Sequence, residues 1–316
     1  MTIVCGKPRV DELGDVVDIL RDWQDDGAPM QLHPGDLGWF WRSGAEATAD
    51  AVRTWRRDER VLAVGLLDGA ELLRVTLAPD ARHDPDLAQQ IHDDVTDPRR
   101  GVLPEGSVSI EAPGDALIRD VLLARGWYGG EPWTSLRRDL TEPVEDSGLR
   151  IEVVTPGNAH RFAAVLRAAF DGSTFTDARW RAMTAGSPYT DARSLLAYDD
   201  KGNAVASVTV WSAGRGRPGL LEPMGVHRAH RHLGHGRAIT IAAAAALREL
   251  GSSSALVGTP SSNVGAVATY ESAGFRRRPD VRDVCRDGGQ DVSSGPAGQE
   301  VLTEAVDGVT VGLDAR

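Results

Sequence analysis

Between Leu221 and Phe275 the chain gathers residues able to hold an anion. The run Arg231-His232-Leu233-Gly234-His235-Gly236-Arg237 follows an apolar stretch, Leu220-Leu221-Glu222-Pro223-Met224-Gly225-Val226, and leads into an Ala-rich helix pattern that reaches Leu250. A strand feeding a glycine-rich turn that opens a helix leaves amide N–H groups unpaired at the positive end of the helix dipole, which favours phosphate. No Asp or Glu occurs from Pro223 to Arg248, whereas Arg228, Arg231, Arg237 and Arg248 do, in a chain whose acids outnumber its bases. Each charge-assisted contact to a phosphate is worth about 1.5–3 kcal/mol; the competing reading is a solvated basic turn. His227, His230, His232 and His235 are four of the eight histidines, but no Cys or acid accompanies them as a zinc site would want. Asn263 opens a second helix pattern, N-V-G-A-V-A-T-Y-E-S-A-G-F to Phe275, and suits an N-cap. Tyr270 within it has a core aromatic as its bland reading, and Glu222 has an edge-strand surface acid as its own.

These residues need a frame, and 316 residues are comfortable for two domains of about 150 each. A composition 41% hydrophobic and 26% charged is that of a globular chain. The net charge of −11 argues against non-specific nucleic-acid binding. Cys5 and Cys285, far apart, form no disulfide framework and suit a reducing cytoplasm. No apolar run approaches the ~20 residues of a membrane span, and Met1 to Lys7 lack the order of a signal peptide, so a cytoplasmic location without membrane contact is expected.

Periodicity predicts helices over Arg9–Trp23, Ala45–Trp55, Leu87–Val95 and Ala116–Arg125, a hairpin from Val61 to Leu77 turning at Asp68-Gly69, and strands at Ser107–Glu111 and Ser135–Leu140. Trp39-Phe40-Trp41 reads as core before pocket floor. A polar, Pro-containing linker follows at 141–148. Beyond it the order repeats: strand Arg150–Val154, helix Ala159–Phe170, a short helix near Trp180, and strands Ser194–Tyr198 and Ala204–Trp211. Ala116–Trp127 aligns with Val264–Phe275 at constant offset, which sets Leu122 against Tyr270 and Asp115 against Asn263. Leu77–Arg82 matches Val226–Arg231, but His83-Asp84-Pro85-Asp86 then replaces the glycine-rich turn, and proline nitrogen and carboxylates suit no phosphate.

The apolar Met224-Gly225-Val226, the R-x-x-G-x-G of Arg231 to Gly236 and the N-x-x-A-x-x-x-Y-E-x-x-G-F of Asn263 to Phe275 together resemble the GNAT acetyltransferase superfamily. The resemblance is strong from Arg150 to about Asp287 and rests on element order alone before that; the tandem layout with one degenerate half is similar to the architecture of mycothiol synthase. It implies an α+β fold of two GNAT-like domains, each a mixed, mostly antiparallel sheet flanked by helices. The division implied is a degenerate domain at 1–140, a catalytic domain at 149–287, and an extension at 288–316 without assigned function. The implied cosubstrate is acetyl-CoA, and the implied reaction is direct transfer to a primary amine of a small-molecule acceptor, with no metal. By resemblance, Met224, Gly225 and Val226 meet the pantetheine arm. Arg231, His232, Gly234, His235, Gly236 and Arg237 meet the pyrophosphate, and Asn263 is a ligand or a cap. Tyr270 stands where the family keeps an acid for the departing thiolate, and an amine that must lose a proton points to Glu222 as base. Asp171 to Thr176 and Trp180 fall where the superfamily shapes its acceptor pocket. A non-catalytic acyl-CoA sensor or scaffold and an acyl-CoA decarboxylase stay open beside the transferase. The first half is then expected to be a wall, lid or homodimer surface.

Overall fold

The computed structural model describes residues 2–288; most of the extension expected over 288–316 lies outside them. The first half runs β1 (Ile3–Gly6), α1 (Leu13–Asp22), α2 (Pro34–Phe40), α3 (Ala45–Ala51), β2 (Val52–Arg57), β3 (Arg60–Leu67), β4 (Leu72–Leu77), α4 (Pro85–Thr96), β5 (Val108–Glu111), α5 (Leu117–Leu123) and β6 (Tyr128–Asp139). The second runs β7 (Arg150–Val153), α6 (Ala159–Ala169), α7 (Asp177–Thr184), β8 (Ala192–Tyr198), β9 (Ala204–Ser212), β10 (Gly219–Val226), α8 (His235–Glu249), β11 (Ser254–Pro260), α9 (Val264–Ser272), β12 (Arg276–Arg277) and β13 (Val281–Arg286). The predicted helix over 45–55 stops at Ala51: Val52-Arg53-Thr54-Trp55 is rich in β-branched and aromatic residues and pairs between β1 and β3.

The strands form one mixed sheet in the order β1-β2-β3-β4-β5-β13-β6-β11-β10-β9-β8-β7. Among the described residues only β4/β5 and β10/β11 pair in parallel, one pair in each half. The halves exchange strands. β6, ahead of the linker, lies along β11 from Trp133 to Asp139, while β13, at the end of the second half, pairs with both β5 and β6. Helices cover both faces, and their apolar positions follow the helical period: in α1, Leu13, Val16, Val17 and Leu20 are at most 1% exposed.

Contacts between the halves are close. Gly35 and Gly38, one turn apart on α2, lie against the indole of Trp211, where a Cβ would come within 2.6 and 2.3 Å of it. Trp39 stacks on Phe175 at 5.3 Å, and Trp39 and Trp41 are core residues as predicted. His33, which caps α2, accepts from Gly35 N–H at Nδ1 (2.9 Å) and donates from Nε2 to Pro218 O (3.1 Å), so its tautomer is fixed by both partners.

The exchange yields a prediction. A chain of residues 141–288 leaves β11 as an open edge and exposes the apolar surface that β6 covers. It is expected to show no cooperative thermal transition by circular dichroism, and a sharp transition like that of the full chain would contradict this role of β6.

Candidate active site

β11 follows β10 only through Gly219-Leu220 and Ala255-Leu256, then continues against β6. Beyond Leu220 the two strands part, and a wedge opens whose wall is Leu221 to Val226. β10 bulges between Leu221 and Met224, a break tied down by Trp211 Nε1–H donating to Glu222 O at 2.6 Å. Met224 and Val226 are part-exposed here. Gly225 is required by packing, since a Cβ would lie 2.6 Å from Ala169 Cβ and 3.0 Å from the Phe170 ring.

At the wide end the chain turns into α8 through His232 (φ 62°) and Gly234 (φ 81°), left-handed positions that glycine takes without cost and histidine does not. The first helical bond runs from Ala238 N–H to Gly234 O. The amides of His235, Gly236 and Arg237 therefore precede it at the helix's positive end. Arg231, His232, Leu233 and Gly234 are exposed around them. Arg231 donates to Ala169 O (2.8 Å) at the end of α6, and Arg237 to Ser272 O (2.9 Å) at the end of α9, so both guanidiniums are anchored beside the turn. Gly236 lets α8 approach α9, where a Cβ would meet Thr269 at 2.9 Å. The rings of His227, His230 and His235 adjoin one another, and burial followed by the neighbouring His230 lowers His227 and His235. Among the described residues no cluster of His, Cys, Asp and Glu is arranged to hold a metal ion.

Asn263 caps α9, its Oδ1 accepting from Ala266 N–H at 3.1 Å. Tyr270 on the same helix is 6% exposed and packs against Phe275. Burial and then the field of Glu222 hold its phenol well above the ordinary value, which ties the two proposed proton-handling groups to one place. Phe175 and Trp180, placed by resemblance in an acceptor pocket, are instead core residues, 3% and 4% exposed and packed against Trp39 and Tyr189.

Sequence reasoning missed the surroundings of Glu222. Its carboxyl is pushed well above the usual range by loss of hydration first, then by Asp36, against a smaller opposing effect of Arg74. Part of its side chain reaches the surface, but its carboxyl is buried in the fields of Asp36, Arg74 and Asp68 of the first half. Asp36 stands on α2 and Arg74 on β4; Arg74 meets Asp36 at 3.0 Å, Glu111 at 2.9 Å and Asp68 at 3.8 Å. The first half thus supplies polar groups beside the wedge. Its own helix N-terminus is filled: Asp84 caps α4, accepting from Asp86 and Leu87 N–H at 2.9 and 3.0 Å while paired with Arg57 at 2.8 Å. Leu122, opposite Tyr270 in the repeat, is wholly buried.

Residues 162–275 match the model of the Acetyltransferase (GNAT) family. Among solved structures the chain is similar to a tandem GNAT protein from the clavulanic acid biosynthesis pathway (14% identity, TM-score 0.56, 91% of this chain and 99% of that one). It is also similar to a GCN5-related N-acetyltransferase from Sphaerobacter thermophilus (18%, 0.55, 90% and 95%) and to an N-myristoyltransferase of Saccharomyces cerevisiae with bound myristoyl-CoA (9%, 0.54, 90% and 78%). No curated protein matches the sequence.

The buried His33 makes the junction beside this site sensitive to acid. Burial lowers it from 6.5 to about 4, so its contribution is complete above pH 6.5 and is lost as pH falls toward 4. A loss of about 3 kcal/mol is expected over that window. Denaturant unfolding at stepped pH should show it, and His33→Gln should remove that part of the slope; an unchanged slope would contradict the assignment.

Proposed function

Taking the chain to carry a GNAT-family domain over residues 162–275 in a tandem α+β frame, we propose that it transfers an acetyl group directly from acetyl-CoA to a primary amine of a small-molecule acceptor. What supports this reading is the parting of β10 from β11 beyond Leu220, beside a helix N-terminus flanked by cationic residues, with Tyr270 in the field of Glu222. The amides of residues 235–237, with Arg231, His232, Gly234 and Arg237 around them, hold the pyrophosphate. The pantetheine amides take the place of β11 as partners for the β10 backbone at Met224 and Val226.

The amine nitrogen bonds the acetyl carbonyl carbon as the carbon–sulfur bond breaks. Glu222, as carboxylate, takes the amine proton, and Tyr270 gives its phenolic proton to the departing thiolate. The two transfers help each other. Once Glu222 is protonated, its negative field no longer holds the proton on Tyr270, and the phenol becomes a better acid when the thiolate appears. Because burial and then Asp36 raise Glu222 well above the ordinary carboxyl range, the active carboxylate form grows in at higher pH than it would for an exposed glutamate. The first half forms the facing wall, and its Asp84-capped α4 leaves one acyl-CoA site among the described residues.

Tyr270→Phe should keep its acetyl-CoA affinity by isothermal titration while kcat falls about 10²-fold or more. An unchanged kcat would remove Tyr270 from the mechanism, and a protein that binds acetyl-CoA but acetylates no amine would be a sensor. Glu222→Gln keeps the size of the side chain and a polar group able to donate beside Asp36, and should fold normally. It is expected to lose the ascending limb of kcat/KM against pH that belongs to Glu222, whereas an identical profile would exclude it as the base.

A further inference from the structure

We propose that Met30, carried by the first half, closes the narrow end of the wedge and restricts the acyl donor to acetyl-CoA. This rests on the acetyl-transfer reading and narrows it to acyl size. The last pair joining β10 to β11 is Leu220 with Leu256, so Gly258 is the second β11 residue past the point where the strands part. Successive residues of a strand point to opposite faces of the sheet. Val257 lies in the core shared with Leu221, Tyr270 and α8, so the Gly258 position opens on the other face. Met30 is seated there: a Cβ on Gly258 would come within 2.5 Å of its Cε and 3.3 Å of its Sδ. The Gly258 backbone is not left-handed, so it is Met30, and not the course of the chain, that requires glycine.

With pantetheine along Val226 and Met224 and the sulfur beside Tyr270, the acyl group points toward the pair Leu220 with Leu256. That pair bars a longer chain from running straight on. On the Tyr270 face Leu221, Val257 and Tyr270 are packed in one buried cluster, so added carbons must turn out on the opposite face, where Met30 stands. The loop that carries Met30 is braced. Gln24 donates from Nε2 to Leu20 O at 3.1 Å and to Leu32 O at 3.0 Å, which joins its two ends. Gln31, beside Met30, donates to Trp23 O at 2.8 Å and accepts from Thr76 at 2.8 Å, and both glutamine side chains are buried. Asp26 then ties the loop to the sheet, meeting Arg137 at 3.0 Å and accepting from Ser254 Oγ at 2.6 Å. Ser254 and Gly258 share one face of β11, so the loop runs along that face and holds Met30 on it. A wall fixed at this many points discriminates by size, because it does not give way to added carbons.

The test is calorimetric titration of the full chain with acetyl-CoA, butyryl-CoA and free CoA, each acyl-CoA being read against free CoA in the same protein. The unaltered chain should bind acetyl-CoA about tenfold more tightly than butyryl-CoA, equivalent to about 1.4 kcal/mol. Met30→Ala removes the thioether and should bring that ratio to about one or reverse it. Gly258→Ala drives Met30 off its seat and should weaken acetyl-CoA about fivefold relative to free CoA, an effect that Met30→Ala in the same chain should cancel. Equal affinity for the two acyl-CoAs in the unaltered chain, or a ratio that Met30→Ala leaves as it was, would overturn the inference and leave acyl-CoA binding standing. Failure of free CoA and acetyl-CoA alike to bind the unaltered chain would overturn the transfer reading itself. If Met30→Ala does not fold, the ratio in the unaltered chain and the response to Gly258→Ala decide.

Discussion

The ladder between β6 and β11, seven residue pairs long, holds the rest of the molecule in place. Its two strands come from opposite sides of the linker, and β13 returns the exchange by closing the first half's sheet against β5. Separating the halves would break backbone hydrogen bonds on both sides of β6 and open two sheet edges at once. The first half is therefore bound to the second by strand pairing on both sides of β6. That is why Asp36 and Arg74 can be held against Glu222, and why α2 can afford two glycines against Trp211.

The repeat also shows one scaffold settling the same electrostatic question in two ways. Both α4 and α8 begin after a strand of a parallel pair and present positive N-termini. At α4 the demand is met from within, by Asp84 and its bond to Arg57. At α8 the cap is Gly234, which has no side chain to offer, and the residues around it are cationic. A resident carboxylate closes one terminus to phosphate, and its absence leaves the other open.

What the sequence disclosed follows range. The turn at Arg231 to Arg237, the cap at Asn263 and the degenerate turn at Asp84 are local patterns, whose physics is complete within a few residues. β1 is four residues long and shows no period. α2 was hidden because Pro34, Gly35 and Gly38 are poor helix formers, retained where a flat helix face meets Trp211. The environment of Glu222 was out of reach altogether, since Asp36 and Arg74 approach it only after the halves exchange strands. Gly225 and Gly236 read in sequence as ligand contacts, and the packing that also requires them, against Ala169 and Phe170 and against Thr269, was out of reach.

The central claim is that the wedge between β10 and β11 is the chain's acyl-CoA site. A crystal structure with CoA bound tests it most directly. The account predicts the pyrophosphate on the amides of residues 235–237, the pantetheine arm along Met224 and Val226, and the sulfur beside Tyr270. CoA at the N-terminus of α4, or lying outside the wedge, would contradict it.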